Sequence, residues 1–505
     1  MLAFGAGAGE NSGVPPRFRA VTRDQQFLLP PDVREWLPEG HPALFVVDLI
    51  DELDLSAFVA GYRSSVERGR PAFHPSVMVG IVLYASMCSV RSSRQVERLL
   101  ATDAGFRVVA ANERPDHVTI CRFLARHEQA LAGVFDQVVG LAAEAGLVDP
   151  TLVALDGTKM AADASPDSNE TLGDLRGRFA AWADEVLTND AADDAAEAED
   201  PSGPVPEMAD RDQRREWIRR RLAERAAEPD DRRMNTVDPD SGLVPRSGGG
   251  WVQGYNAQAA AVAGGIVVAA DVTANPADTT VLDAMVALVD TKIAAATGEA
   301  TGVIVADAGY WDTDLIEAID TDPNRADLLV ATGRRAPKTP PAPIVEPDPA
   351  PHQAAVAAHD EAVDTIQRQR VEVIAQVAAG TLLIREGAEL LGLSIARVGE
   401  LKLAYEAGGP DALRPRRLRG QKRPKPPRGP TRAGRARHAM DTRLASPAGR
   451  SFYRQRQAII EPVFGDIKTN RRTTRFLRRG ADAVRAEWLT ILTGHNLTIV
   501  HAHRA

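Results

Sequence analysis

Apolar positions in the first third of the chain recur at three- and four-residue spacing. Leu44–Leu55, Val77–Met87, Val96–Leu100 and Val118–Leu131 each gather them on one helical face. The stretch from Pro31 to about Ala145 is therefore expected to be all helical, with Pro75 and the pair Pro115-Asp116 at helix entries. At Thr151 the pattern changes. Leu152-Val153-Ala154-Leu155 is an apolar run of strand length, followed by Asp156-Gly157-Thr158, and reads as a buried strand with a carboxylate at its end. Gly254–Val262 and Ile266–Val272 are two β-favouring runs joined by Gly264-Gly265, a pair that accepts positive φ, which predicts a hairpin. Thr279–Ala294 returns to helical periodicity. Val303–Ala306 is a second short apolar run, and again an aspartate, Asp307, stands at its end. A helix at Asp314–Ile319 and a strand at Leu328–Ala331 complete the order strand, hairpin, helix, strand, helix, strand, which suits a mixed sheet covered by helices.

Prolines from Pro337 to Pro351 cannot continue a helix or a central strand and mark a linker. Between Val371 and Ala407, Ala388 is followed four residues later by Gly392 and then by Val398. Such spacing suits a helix-turn-helix: a small residue lets two helices approach, a glycine makes the turn, and an apolar residue anchors a third helix over Ile395–Tyr405. An ordinary helical hairpin would show the same pattern. The last block, Phe452 to Val500, is helical and is expected to return to the sheet domain. The boundaries that follow are 1–148 for the helical N-terminal domain, 149–335 for the first part of the sheet domain with an acidic helical insertion at 166–245, 336–440 for linker, helical unit and basic tail, and 441–505 for the remainder.

With 505 residues, 44% of them apolar, the chain can bury several cores. A net charge of −9 argues against a nucleic-acid partner only on average, because charge is segregated along the chain. Residues 184–200 carry eight acids and no base, and residues 412–440 carry eleven bases and no acid. The acidic run reads as a solvated insertion. The basic run either holds phosphates or serves as a soluble linker. No run of eighteen apolar residues and no signal-like start occurs, so a cytoplasmic, nucleoid-associated protein without membrane partners is expected. Cys88 and Cys121 lie in helical segments and read as buried thiols; His74, His117 and His127 read as structural or surface residues.

The chemistry rests on carboxylates. An aspartate at the carboxyl end of a buried strand faces the crevice where open α/β sheets bind ligands, although a single one often only caps a helix. Two, Asp156 and Asp307, on strands that can lie side by side, suit a shared hard cation. A third acid would allow two cations to serve an in-line phosphoryl displacement. Glu461 is the candidate, flanked by Arg454, Arg456, Lys468, Arg471 and Arg472; amid those bases it is either a catalytic acid or one half of an ion pair.

The block Tyr453-Arg454-Gln455-Arg456 followed by Glu461-Pro462-Val463-Phe464-Gly465-Asp466-Ile467-Lys468 resembles the Tyr–Arg–Glu–Lys signature of bacterial insertion-sequence transposases of the DDE type, whose catalytic domain is ribonuclease H-like. The arginine-to-glutamate interval is one residue longer than the commonest pattern, so Arg454 and Arg456 compete for the arginine's place. Leu155-Asp156-Gly157-Thr158-Lys159 resembles the first-acid motif, Ala306-Asp307-Ala308-Gly309-Tyr310 the second, and Gly254-Tyr255-Asn256-Ala257-Gln258 the hairpin entry that precedes it. Arg114–Phe123 is similar to the helical module found before such domains. The resemblance implies an α/β ribonuclease H-like catalytic domain and an all-α N-terminal domain that binds DNA ends; the inserted helical unit between Leu328 and Phe452 departs from it, many relatives being shorter there. It implies Asp156, Asp307 and Glu461 as ligands of two Mg²⁺ or Mn²⁺ ions, with water attacking the DNA at an element end and the freed 3′-hydroxyl then attacking target DNA. Tyr453, Arg454, Arg456 and Lys468 would hold DNA near the metals, Arg397 on the third inserted helix is a candidate base reader, and a homodimer on paired ends is expected. A nuclease that cuts without joining, or an inactive DNA-binding regulator, would carry much of the same pattern.

Overall fold

The computed structural model describes residues 33–59, 72–179, 211–245, 249–333, 337, 339–414, 422–427 and 429–504. The acidic run 184–200, Pro31, and positions 415–421 and 428 of the basic run lie outside the described residues. The chain divides into two compact units, one of residues 1–310, 322–328 and 454–505, the other of residues 311–321 and 329–453.

The N-terminal helices follow the apolar periodicity. Pro42–Glu52 and Pro75–Met87 each start with proline in the first turn, where no N–H is needed, and with a histidine cap: Nδ1 of His41 accepts from Ala43 N and Nδ1 of His74 from Ser76 N. Their buried faces, with Leu49, Met78, Ile81, Leu83 and Leu100, form one core. The helix expected over 118–131 is instead two, His117–Arg126 and Glu128–Glu144, because His127 leaves helical geometry at φ −116° and ψ 30°. Its ring is buried against Phe58 and Phe123, at 5.3 and 4.7 Å between centroids, and this packing outweighs one helical turn. His117 Nδ1 lies 2.7 Å from Glu97 Oε2. All three histidines are thus structural. The thiol expectation fails for Cys88, which is exposed: it caps the helix end where the chain turns through Ser89 at φ 60°, past the buried face, while Cys121 is half-buried.

Among the described residues eight strands follow: β1 Leu152–Ala161, β2 Asn169–Thr171, β3 Arg233–Asn235, β4 Gly242–Pro245, β5 Trp251–Val262, β6 Val267–Thr273, β7 Val303–Ala306 and β8 Asp327–Val330. The main sheet runs β4-β5-β1-β7-β8, with β6 also on β5, and β2 and β3 make a separate ribbon. β1 is antiparallel to β5 from Val153↔Val262 to Ala161↔Gly254, and parallel to β7 over Leu152–Ala154. β4 and β6 share the other edge of β5 end to end. The hairpin turn is as expected, with Gly264 and Gly265 at φ 84° and 83°.

One expectation needs correction. β1 does not end at Asp156. It continues to Ala161 because β5 keeps pairing with it, Asp156 lying opposite Ala259, whereas β7 stops at Ala306. Asp156 therefore marks the place where β1 has lost its parallel neighbour.

Helix Leu282–Thr297, stopped by left-handed Gly298, covers β6 on the same side as Glu128–Glu144. The closing helix Ala481–Arg504 packs on β6 and on the N-terminal helices, and its Leu497 belongs to their core. It is tied to the sheet by polar bonds: Asn496 takes both the N–H and the carbonyl of Val267 at 2.9 and 2.8 Å, and Trp488 Nε1 donates to the Gln258 carbonyl at 2.9 Å.

In the second unit, helices Pro349–Ala378, Ile384–Leu391 and Ile395–Gly408 enclose Ile374, Ala388, Val398, Leu401 and Leu413. Gly392 makes the turn in the left-handed conformation, φ 59° and ψ 34°. A Cβ on Gly387 would come within 2.9 Å of Val377 Cγ2, so this packing needs a residue without one. The linker is shorter than its prolines suggest, since Pro349 and Pro351 sit in the first turn of the thirty-residue helix, where proline costs no hydrogen bond, and Asp348 caps it. Four bases of the basic run are paired within this unit: Arg414 with Asp364 (3.0 Å), Arg423 with Asp360 (3.2 Å), Arg435 with Glu346 (2.7 Å), and Arg432 with Asp314 (2.8 Å) and Glu317. No helix among the described residues is long and apolar enough to cross a membrane.

The sheet also encloses one costly charge. Both carboxylate oxygens of Asp238 accept from the buried Tyr255 hydroxyl at 2.9 Å, and Oδ1 accepts from Gly480 N at 3.1 Å. Burial pushes this carboxyl up to about 6, these bonds offsetting only part of the effect. A folded-state value above the unfolded one stabilises the protein fully below about pH 4, and that contribution, on the order of 3 kcal/mol, is lost as pH rises through 6. Asp238→Asn has no such dependence. The melting temperature of the variant minus that of the parent is expected to rise by several degrees between pH 4 and pH 7, and a flat difference would show that Asp238 titrates normally.

Candidate active site

The helix Pro447–Gly465 is amphipathic, burying Arg456, Ile459, Ile460 and Val463 at helical spacing. The apolar members of that stripe seat the helix, and the seat carries the arginine inward, leaving it 6% exposed. Arg456 Nη2 stands 2.9 Å from Asp156 Oδ2 and 3.9 Å from Asp307 Oδ2. One guanidinium therefore serves two carboxylates. Its Nε is buried with no acceptor among the described residues.

Burial pushes the Asp156 carboxyl up; Arg456 pulls it down, Asp307 and Asp278 push it up again, and the balance lies at about 6. Desolvation outweighs the pull of the guanidinium. Asp307 is held by its own turn, Gly309 N donating to Oδ1 at 2.8 Å. Lys468 Nζ lies 3.5 Å from the Lys159 carbonyl; burial lowers its pKa, and the nearby Asp156 charge opposes that. Lys468 sits in a π-helical turn, Asp466–Asn470, just beyond Pro462, which stands inside the helix. Asp466 anchors this turn. Partial burial would raise its pKa, but bonds from Arg471 (2.6 Å), His495 (2.9 Å) and Asn470 (3.1 Å) prevail and hold it at about 2.

The structure thus gathers Asp156, Asp307, Arg456 and Lys468. It gives the buried place beside the acids to Arg456 and leaves Arg454 exposed. Glu461 faces outward on the same helix, with no hydrogen bond or ion pair, and no group of three His, Cys, Asp or Glu placed to hold a metal occurs among the described residues. Tyr453 is half-buried. Arg397, in the first turn of the third inserted helix, is exposed and paired with Glu400. Sequence reasoning missed Asp278, whose Oδ1 accepts from Lys159 Nζ (3.0 Å), Asn256 Nδ2 (2.7 Å) and Gln258 Nε2 (3.0 Å). Its only local signal is a polar turn, Asn275-Pro276-Ala277-Asp278, between a strand and a helix.

Four family models match the chain. Residues 31–126 match a Transposase domain (DUF772), 231–340 and again 426–501 match Transposase DDE domains, and 369–425 match a Helix-turn-helix domain. The two DDE matches hold Asp307 on one side and Arg456, Glu461 and Lys468 on the other. The chain is a DDE transposase of the insertion-sequence kind. No curated protein and no solved structure matches it. The transposase's mixed sheet flanked by helices is the ribonuclease H-like architecture that its motifs imply. Its inserted unit is a helix-turn-helix, not an ordinary hairpin of helices.

The site is packed tightly enough to test by adding one methyl group. A Cβ on Gly157 would lie 2.4 Å from Gln258 Nε2, 2.8 Å from Asp278 Oδ1 and 2.9 Å from Asn256 Oδ1. Gly157→Ala must displace that cluster beside Asp156, and metal-dependent DNA cleavage is expected to fall about tenfold or more. Gly133→Ala, in open space on the helix Glu128–Glu144, is expected to leave cleavage unchanged and to stabilise by about 0.5–1 kcal/mol. Equal cleavage rates for the two variants would show that the cluster tolerates displacement.

Proposed function

We propose that the transposase cuts DNA at the ends of its element and joins the freed 3′-hydroxyl to target DNA, using Asp156, Asp307 and Glu461 as ligands of divalent cations, two Mg²⁺ or Mn²⁺. The observation that carries this reading is the pair of aspartates from β1 and the β7 turn meeting at one buried guanidinium, with Asp156 held at about 6. Carboxylate oxygens are the donors that hard cations take, and two of them from separate strands meet here. When bound, such cations activate the attacking oxygen and stabilise the leaving one in an in-line displacement.

The chain's own residues do the rest. Arg456 holds the two acids together. Glu461, exposed between Arg456 and Lys468, supplies the third carboxylate. Lys468, Arg454 and Tyr453 contact the DNA backbone, positioning it without reading sequence. In the first step an oxygen of water bonds to phosphorus and the P–O3′ bond breaks; in the second the 3′-oxygen bonds to a target phosphorus and displaces a strand end. The helix-turn-helix, with Arg397 in its third helix, and the N-terminal domain bind the element ends, and two copies pair those ends in the cytoplasm at the nucleoid.

Purified protein with Mg²⁺ and DNA from the flanks of its gene, scored for cut and joined products, tests the chemistry. Asp156→Ala, Asp307→Ala and Glu461→Ala should each abolish both products while sparing DNA binding. Cleavage that survives Glu461→Ala would take that residue out of the ligand set. Deleting Val371–Arg437 should weaken DNA binding and flatten its salt dependence, each lost phosphate contact removing a slope of about 0.9. An unchanged slope would make the unit a spacer.

A further inference from the structure

Beside the two bridged acids stands Asp278, which opens the short turn Asp278–Val281 between β6 and the helix Leu282–Thr297. Three donors converge on its Oδ1, from Lys159, Asn256 and Gln258. Asn256 and Gln258 are fully buried in β5. At its other end Gln258 accepts, through Oε1, from the hydroxyl of Tyr310. Tyr310 closes the turn Ala308–Tyr310 directly after Asp307, and its N–H points to the Asp307 carbonyl at 3.3 Å. A continuous polar path therefore runs from Asp278 through Gln258 and Tyr310 to the backbone that carries Asp307. Burial and the surrounding carboxylates push the Tyr310 phenol well above its ordinary value, so it stays a donor.

Two glycines admit Asp278 to this place. A Cβ on Gly157 would lie 2.8 Å from its Oδ1, and one on Gly309 would lie 3.1 Å from its Oδ2 and 2.9 Å from Asp307 Oδ1. Each glycine follows one of the two proposed cation ligands within two residues. The carboxylate is wedged between the segments carrying Asp156 and Asp307, and it touches Lys159 three residues beyond Asp156 on β1.

We propose that Asp278 is a positioning residue of the transposition reaction: through Gln258 and Tyr310 it fixes the turn bearing Asp307 relative to Asp156, and so sets how tightly the two acids hold a divalent cation. Mg²⁺ demands near-ideal geometry at short distances, and the other holds on Asp307 among the described residues are its own turn and the longer 3.9 Å contact with Arg456. Loss of such an outer partner weakens metal binding 10–100-fold in known sites. The inference rests on the reading of Asp156 and Asp307 as cation ligands.

The test uses the full chain and two variants, Asp278→Asn, which removes the charge that three donors share, and Tyr310→Phe, which removes only the hydroxyl at the far end of the path. Bound Mn²⁺ is measured by the loss of the free-ion electron paramagnetic resonance signal, and the Mg²⁺ concentration for half-maximal DNA cleavage is measured in parallel. Both variants should bind Mn²⁺ about tenfold more weakly and need about tenfold more Mg²⁺, with DNA affinity unchanged. Mn²⁺ affinity and Mg²⁺ requirement within twofold of the parent would overturn the proposal. So would a loss of Mn²⁺ binding as complete as that of Asp156→Ala, which would make Asp278 a ligand itself. If Asp278→Asn does not fold, Tyr310→Phe decides alone. A parent protein whose Mn²⁺ binding does not depend on Asp156 would instead sink the reading of the acids as ligands, and the positioning role with it.

Discussion

One guanidinium between two aspartates holds the site together. Like charges repel, and a buried carboxylate such as Asp156 is costly without a partner, so Arg456 favours the approach of Asp156 to Asp307 by reaching both. Three distant stretches of chain must then be correct at once. β1 has to run past the end of β7, the turn after β7 has to present Asp307, and the helix Pro447–Gly465 has to bury Arg456. The last condition depends on Ile459, Ile460 and Val463, and on the Asp466–Arg471–His495 cluster that ties the following π-helical turn to the closing helix. His495 also bonds the carbonyl of Gly265 in the hairpin turn at 3.1 Å, so the helix bearing the arginine is braced against the same sheet that bears the first acid.

The closing helix extends this dependence to the N-terminal segment. Gly494 has no room for a Cβ beside Ser86, Ser86 Oγ bonds the Thr490 carbonyl at 2.7 Å, and Arg471 reaches the Ser86 carbonyl at 2.9 Å. The stretch matching a transposase domain and the sheet therefore share one helix and one compact unit.

Charge shows the same economy in the second unit. Its basic run meets acids of its own unit at Asp314, Glu317, Glu346, Asp360 and Asp364. These pairs are exposed, each is worth little, and salt screens them. Exposed pairs of this kind exchange partners at small cost.

Much of this protein was legible along the chain. Helical periodicity located the N-terminal helices, two glycines located the hairpin, Ala388, Gly392 and Val398 located the helix-turn-helix, and an aspartate after each short apolar run located two acids. All of these depend on residues within a few positions of one another, where periodicity and turn chemistry act. Tertiary pairing decided the rest. β1 outlasts its apolar run because β5 pairs beyond it; His127 breaks a helix because two phenylalanines hold its ring. Arg456, not Arg454, meets the acids because only one of the two lies on the buried stripe, and the same rotation turns Glu461 outward. Asp278 had no motif to announce it, since its partners Lys159 and Gln258 reach it only once β1 and β5 are paired. A side chain's neighbours within a turn are set by the sequence; which charges share a buried partner is set by the fold.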